Sequence, residues 1–319
     1  MENILKIKNL NVSFKLEECQ ARAIHDVSLT LEKGKSLGIV GESGCGKSVT
    51  ATSIMKLLPS NAVIESGEIF FKDEDILKYS EKQTQKIRGN KIALIPQDPL
   101  TSLNPLYTIG DQITESIEFH LGLSGKKATS KAIECLKNVK LPEAESRFNE
   151  YPHQFSGGMR QRVIIAMALT CNPELIIADE PTTALDVTVQ AQILNLIKQI
   201  QQEQGTSLLL ITHDLGVVAE TCDYVAIMYA GRIVEYADIQ SIFKNPQHPY
   251  TKGLMQTIPT SGTVKLKAIP GQPPGIVNNI QGCTFNPRCD YKKDICLKEY
   301  PEDTTINAAH RVKCHLLDK

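Results

Sequence analysis

Eight consecutive residues, Gly41-Glu42-Ser43-Gly44-Cys45-Gly46-Lys47-Ser48, fit the pattern G-x-x-x-x-G-K-[ST]. Glycines let a backbone close around an anion, so that successive N–H groups point inward. A helix starting at the end of such a loop adds its positive dipole end. Lys47 is spaced to reach β- and γ-phosphates, and Ser48 to ligate Mg²⁺, with Val49 opening the helix behind them. Further along, the apolar run Leu175-Ile176-Ile177-Ala178 ends in Asp179-Glu180. In a parallel sheet, ligand chemistry gathers beyond the C-terminal ends of strands. Asp179 there could hold Mg²⁺ through water, and Glu180 could polarise a water. The alternative is that both are surface charges at a strand end. Thr212-His213-Asp214 follows another apolar run, which sets His213 at a second strand end, either as a phosphate contact or as a structural histidine. Phe155-Ser156-Gly157-Gly158-Met159-Arg160-Gln161-Arg162 offers a second N–H-rich helix start suited to an anion. Gln97 lies between Pro96 and Pro99, where regular structure is interrupted. Phe14 closes the first strand-like run; it could stack on an adenine ring or fill a sheet core.

The elements that must position these groups are legible in outline. Residues 4–14 and 22–31 alternate as strands do and read as an antiparallel sheet at the start of the chain. Residues 36–40 read as a buried parallel strand, followed by a helix over 49–58 that stops at Pro59. Short strands are expected at 67–71 and 91–95, with a helix over 80–88 capped by Ser80. The texture then changes. Residues 109–123 and 126–140 carry apolar residues at helical spacing, and no strand-like run occurs from about 100 to 172. A helical subdomain is therefore inserted into an α/β core. A helix over 188–204, a strand over 207–211 and a strand pair over 224–236, turning at Ala230-Gly231, complete the core.

The chain has 319 residues, 41% hydrophobic and 22% charged, ordinary values for a soluble globular protein. Its formal net charge is −1, so no global field draws it to nucleic acid or an anionic membrane. No leader-like apolar region follows Met1, and no run approaches the roughly 20 residues of a spanning helix. The expectation is a cytoplasmic, soluble or peripheral protein. Of nine cysteines, Cys283, Cys289, Cys296 and Cys314 crowd the last 40 residues. In a reducing compartment such a cluster suggests metal rather than disulfide. The set suits zinc or an iron–sulfur cluster, or it is simply buried thiol; its spacing lacks the close pairs of zinc ribbons. Residues 259–282, rich in Pro, Gly and Thr, read as an extended linker.

Phosphate loop, Gln97, the Ser156-Gly157-Gly158 helix start, Asp179-Glu180, Ala184-Leu185-Asp186 and His213 stand in an order that resembles the nucleotide-binding subunit of ABC transporters. The resemblance covers about residues 3–258. It implies a P-loop NTPase core with an antiparallel N-terminal sheet, a helical subdomain over about 98–172 and a small Cys-rich extension over 259–319. It also implies roles. Gly41 to Val49 would bind the phosphates of ATP, and Phe14 would stack on adenine. Ser48, Gln97 and Asp179 would hold Mg²⁺. Glu180 would be the general base and His213 would contact the γ-phosphate. Ser156, Gly157, Gly158 and Gln161 would close over ATP bound to the opposite subunit. Gln97-Asp98-Pro99-Leu100-Thr101-Ser102-Leu103-Asn104-Pro105, His248-Pro249-Tyr250-Thr251 and Ile269-Pro270-Gly271-Gln272-Pro273-Pro274 are similar to the peptide/nickel importer branch. That branch implies a second related ATPase subunit, two membrane-spanning permeases and an external peptide-binding protein, at the inner face of the membrane. It also implies that the four cysteines ligate a [4Fe–4S] cluster. Nickel or metal chelates are the competing cargo within the branch. A soluble ABC ATPase acting on nucleic acid or ribosomes is disfavoured by the single cassette, the absence of heptads and the lack of basic excess.

Overall fold

The computed structural model describes residues 2–183, 185–258, 269–275 and 280–317. Ala184 and most of the expected linker therefore lie outside the described residues. The strands, in chain order, are β1 (Asn3–Lys15), β2 (Gln20–Glu32), β3 (Ser36–Val40), β4 (Ala62–Phe71), β5 (Glu74–Asp75), β6 (Ile92–Ile95), β7 (Leu175–Asp179), β8 (Ser207–Thr212), β9 (Tyr224–Tyr229), β10 (Arg232–Asp238), β11 (Asp303–Asn307) and β12 (His310–Lys313). They belong to two compact units. One is built from residues 1–4, 32–35 and 78–209, the other from 5–31, 36–77 and 210–319.

The second unit holds the antiparallel sheet expected at the chain's start, in the order β2-β1-β4-β5. Its β1 buries Leu5 and Ile7, then Leu10 and Val12. That switch from odd to even positions is impossible in a regular strand. A register shift between Lys8 and Asn11, with Asn9 at φ 48°, absorbs it as a bulge. In the same unit β3 pairs in parallel with β9, and β9 and β10 form an antiparallel hairpin. The hairpin turns at Ala230 and Gly231, both with positive φ, as a two-residue turn between right-twisted strands requires. The C-terminal region adds two strands not legible beforehand. Here β12 pairs with β10 (Glu235 opposite Val312), and β11 pairs with β12. The tail is thus continuous with the sheet that carries the phosphate loop.

In the first unit β6 and β7 pair in parallel, Ile92 opposite Leu175 through Ile95 opposite Ala178. Between them every helix or strand from Pro99 onward is helical, as expected. Helix Ile109–Leu121 starts with a reciprocal Thr108–Asp111 capping box and stops at Gly122 in the left-handed region. It buries Ile109, Ile113 and Ile117, while helix Gly125–Asn138 buries Ala128, Ala132, Cys135 and Leu136. Spacings of three and four put each set on one face.

One helix is shorter than expected. It runs Lys47–Ile54, not to residue 58. Lys56 sits at φ 51°, its N–H donates to Ser53 O at 3.1 Å, and the Leu57 N–H donates to Thr52 O at 2.8 Å. That pair of bonds is a Schellman closure, and it ends the helix before Pro59 is reached.

Candidate nucleotide-binding site

The phosphate loop leaves the end of β3, whose five residues are all buried. Its shape is set by close approaches. A Cβ on Gly41 would lie 2.1 Å from the Met228 carbonyl oxygen and 2.7 Å from Cys45 Sγ. Gly46, at φ 106°, caps the helix Lys47–Ile54 where an L side chain would be strained. The Gly231 N–H donates to Cys45 O at 2.8 Å, so the β9–β10 turn pins the loop from one side. Lys47 is buried and its Nζ donates to Gly41 O at 2.9 Å and to Glu42 O at 3.2 Å. Ser43 and Gly44 are exposed at the loop's crest, and Ser48 and Val49 are half-buried. Cys45 is a packing residue, with a thiol that burial pushes up to about 11. A cavity of about 590 Å³ opens beside Gly44, between Ser13, Arg22, His25 and Glu65 on the N-terminal sheet and Gly282 and Thr284 of the tail. Burial, with Arg232 and Arg22 adding, lowers the His25 pKa to about 4. Phe14, next to Ser13, is half-buried opposite Ala62. His213, also in this unit, is exposed beyond the end of β8.

The carboxylates lie in the other unit. Asp179 ends β7 and is 8% exposed. Glu180 follows at φ 45°, a backbone setting that costs a non-glycine residue about 1–3 kcal/mol and clusters at functional sites. Gln97 Nε2 donates to Glu180 Oε2 at 3.1 Å, and Thr183 Oγ1 donates to the same oxygen at 2.9 Å. An amide and a hydroxyl thus orient one carboxylate oxygen, as a group that polarises a water requires, and the amide bond joins two residues 83 positions apart.

In the same unit Ser156 caps the helix Gly157–Ala168, its Oγ accepting from the Met159 N–H at 3.4 Å. Ser156 and Gly157 are exposed, and Gly158 is half-buried. Gln161 departs from expectation. It is 0% exposed, on the face it shares with Ile164, Ile165 and Ala168 at spacings of three, four and seven. That face turns inward, so Gln161 does not stand at the surface with Ser156. Neither of its side-chain amide atoms has a hydrogen-bond partner among the described residues.

In the tail, Cys283, Cys289, Cys296 and Cys314 all line one small pocket, walled also by Phe285 and His248. The Cys283 N–H donates to Cys296 O at 2.9 Å. Burial pushes the Cys283 thiol up to about 11 and raises that of Cys289 as well. Among the described residues no group of three or more His, Cys, Asp or Glu side chains is placed to hold a metal ion. The convergence is thus of four soft donors on one pocket, without a formed ligand sphere.

Comparison with known proteins decides the family. The profile described as "ABC transporter" matches residues 24–183, and that described as "Oligopeptide/dipeptide transporter, C-terminal region" matches residues 234–296. The chain belongs to the ABC transporter family. It is 48% identical to the dipeptide transport ATP-binding protein DppD of Bacillus subtilis, over 100% of this chain and 96% of that one. It is 50% identical to the oligopeptide transport ATP-binding protein OppD of the same organism, over 98% and 89%. Among solved structures, the ATP-binding cassette MJ0796, dimeric and bound to ADP and Pi, superimposes with a TM-score of 0.67 at 31% identity, covering 74% of this chain and 98% of that one. This ABC ATPase therefore carries the P-loop α/β fold expected from its motifs.

Three residues that hold these candidate groups within their own units are not legible in the sequence. Thr183 holds Glu180 from within the turn after β7. The buried Tyr250 accepts a bond from the Glu42 N–H at 3.0 Å, and Arg288 pairs with the Glu42 carboxylate. Tyr250 lay inside the branch motif His248–Thr251, which was the one available signal. Nothing local marks Arg288, because its partner is 246 positions away.

Proposed function

We propose that this ABC ATPase is the energising subunit of a di- or oligopeptide importer, hydrolysing ATP to ADP and phosphate. The observation that carries the reading is the extent of the likeness. It runs through the C-terminal region as well as the cassette, into relatives named for dipeptide and oligopeptide transport. The chain would act at the cytoplasmic face of the membrane with a related second ATPase subunit, two permeases and an external peptide-binding protein. Among the described residues no helix is long and apolar enough to cross a membrane.

Within the chain, Gly41 to Val49 would cradle the phosphates and Phe14 would stack on the base. Ser48, Gln97 and Asp179 would hold Mg²⁺, which neutralises phosphate charge when bound. Glu180, oriented by Gln97 and Thr183, would take the proton of the attacking water, and His213 would meet the γ-phosphate. Ser156, Gly157 and Gly158 would close over a partner's nucleotide. Nucleotide-binding and tail segments would thus divide as 1–258 and 259–319, with a helical subdomain near 98–172. The four thiols fit a thiophilic group by donor chemistry, a [4Fe–4S] cluster before zinc, in a structural role.

Reconstitution with permeases and binding protein in vesicles tests the proposal. Peptide should accelerate phosphate release; acceleration by a nickel chelate alone, or by nucleic acid without permeases, would overturn it. Isolated chain should hydrolyse ATP slowly, and full activity as a strict monomer would refute the shared site. Iron and acid-labile sulfide measured on protein purified without air decide the tail; stoichiometric zinc and no visible absorbance would remove the cluster.

A further inference from the structure

Between two of the tail cysteines stands a residue that reaches the phosphate loop. Arg288 ends the short turn Asn286–Arg288, immediately before Cys289. Its side chain is 5% exposed. Nη1 donates to Glu42 Oε2 at 2.6 Å and Nη2 donates to Oε1 at 3.0 Å, a fork-on-carboxylate pair. The remaining donors are also used. Nε donates to Pro270 O at 2.8 Å, Nη2 reaches Ile269 O at 3.4 Å, and Nη1 reaches the Tyr229 hydroxyl at 3.4 Å. A guanidinium so enclosed cannot be withdrawn without stranding its partner's charge.

Glu42 is held twice more through its main chain. Its N–H donates to the Tyr250 hydroxyl at 3.0 Å, and its carbonyl accepts from Lys47 Nζ at 3.2 Å. Tyr250 and Tyr229 both pack on Phe285, two positions after Cys283, with ring centroids 5.5 and 5.2 Å apart. The loop residue that orients Lys47 is therefore gripped by the segment carrying Cys283 and Cys289. All of these residues lie in one compact unit.

We propose that Arg288 is a positioning residue for nucleotide binding: through Glu42 it sets the phosphate loop, and it couples that loop to the four-cysteine pocket. The inference rests on reading Gly41–Ser48 as the ATP loop. Because coupling is reciprocal, whatever reorders the Cys283–Cys289 segment changes nucleotide affinity, and nucleotide changes the stability of that segment by the same factor. A fixed fork matters here more than a charge, so lysine should substitute poorly.

The test is a double-mutant cycle on the full chain, read as affinity for a fluorescent Mg·ADP analogue, with Arg288→Met, Glu42→Gln and the pair. Each single change should weaken binding about tenfold, within the usual range of coupling between sites. The pair should be no weaker than the worse single. Losses that multiply to about a hundredfold would overturn the coupling. Amide hydrogen exchange of residues 283–297 supplies a second readout. Mg·ADP should slow it in the unmodified chain and not in Glu42→Gln or Arg288→Met. Equal slowing in all three, or none in the unmodified chain, would overturn it; the Glu42 variant serves if Arg288→Met does not fold. Failure of the unmodified chain to bind Mg·ADP would instead remove the underlying nucleotide reading, and with it this one.

Discussion

Replacing Gly41 by alanine should damage this protein more than the same change at Gly44, although Gly44 has the less permissive backbone. Gly44 sits at φ 76°, and an alanine there costs about 1–2 kcal/mol in the left-handed region. Nothing lies within 4 Å of its added Cβ, so no further penalty follows. A Cβ on Gly41 meets a backbone oxygen, Met228 O, at 2.1 Å. Neither atom is the end of a flexible side chain. Relief requires moving the loop, or the end of β9, by about 1 Å. Overpacking a filled interior by one methyl costs about 1–3 kcal/mol, and a backbone shift of this size places the cost at or above the upper end. With an unfolding entropy near 2.1 cal/mol/K per residue, a loss of about 3 kcal/mol lowers the thermal midpoint of a 319-residue chain by about 4–5 °C. The moved loop also misdirects its N–H groups. A displacement of about 1 Å at a positioned group can cost a hundredfold in rate. Thermal denaturation and Mg·ATP titration of both variants measure the two effects. Gly41→Ala with the stability and nucleotide affinity of the unmodified chain, or with milder effects than Gly44→Ala, would refute the reasoning.

Other expectations are more local. Glu180→Gln keeps the size and loses the base, so phosphate release should fall about 10²–10⁴-fold with Mg·ATP affinity retained; undiminished hydrolysis would take Glu180 out of the proposed role. The fully buried His248 has its pKa lowered to about 3, by burial first and Lys252 second. Below about pH 6.5 the unfolded chain takes a proton there that the folded chain refuses, so this histidine removes stability as pH falls, about 1 kcal/mol between pH 7 and 5.5. His248→Asn retains a helix-capping acceptor and should flatten the urea midpoint against pH over that window; an unchanged slope would contradict the assignment. Gln161→Met removes an amide buried without a partner among the described residues, whose desolvation costs about 1–3 kcal/mol, so the denaturation midpoint should rise or stay level, and a clear fall would show that the amide is satisfied.

What could be read from the sequence was local. Strand, loop and helix over residues 36–54 are contiguous, and their buried run, glycines and lysine follow one another in the chain. The helices of residues 109–138 declare themselves by spacing. The strands β11 and β12 do not. Asp303-Thr304-Thr305-Ile306-Asn307 has no buried alternation, and β12 buries only His310 and Val312, so its state is decided by the ladder that β10 offers. Gln161 shows the same limit. The motif reads as a helix start open to an anion; Ser156 is exposed there, while the helical turn between them carries the glutamine to the inner face. The Gln97–Glu180 and Arg288–Glu42 bonds join residues far apart, which no window along the chain can contain.

The fully buried Glu235 has a consequence for how the chain reaches this structure. Its carboxylate accepts from the Gln247 and His248 N–H groups, at 2.8 and 2.9 Å, and lies 2.8 Å from His310 Nε2. The first two partners emerge from the ribosome soon after it; the third follows 75 residues later. Until then β10 has an unpaired edge, the kind that recruits strands from other chains. Synthesis therefore passes through an interval in which the nucleotide core is nearly complete while its sheet is open. A chain cut before β12 would be held in that interval, prone to associate through β10 rather than to unfold.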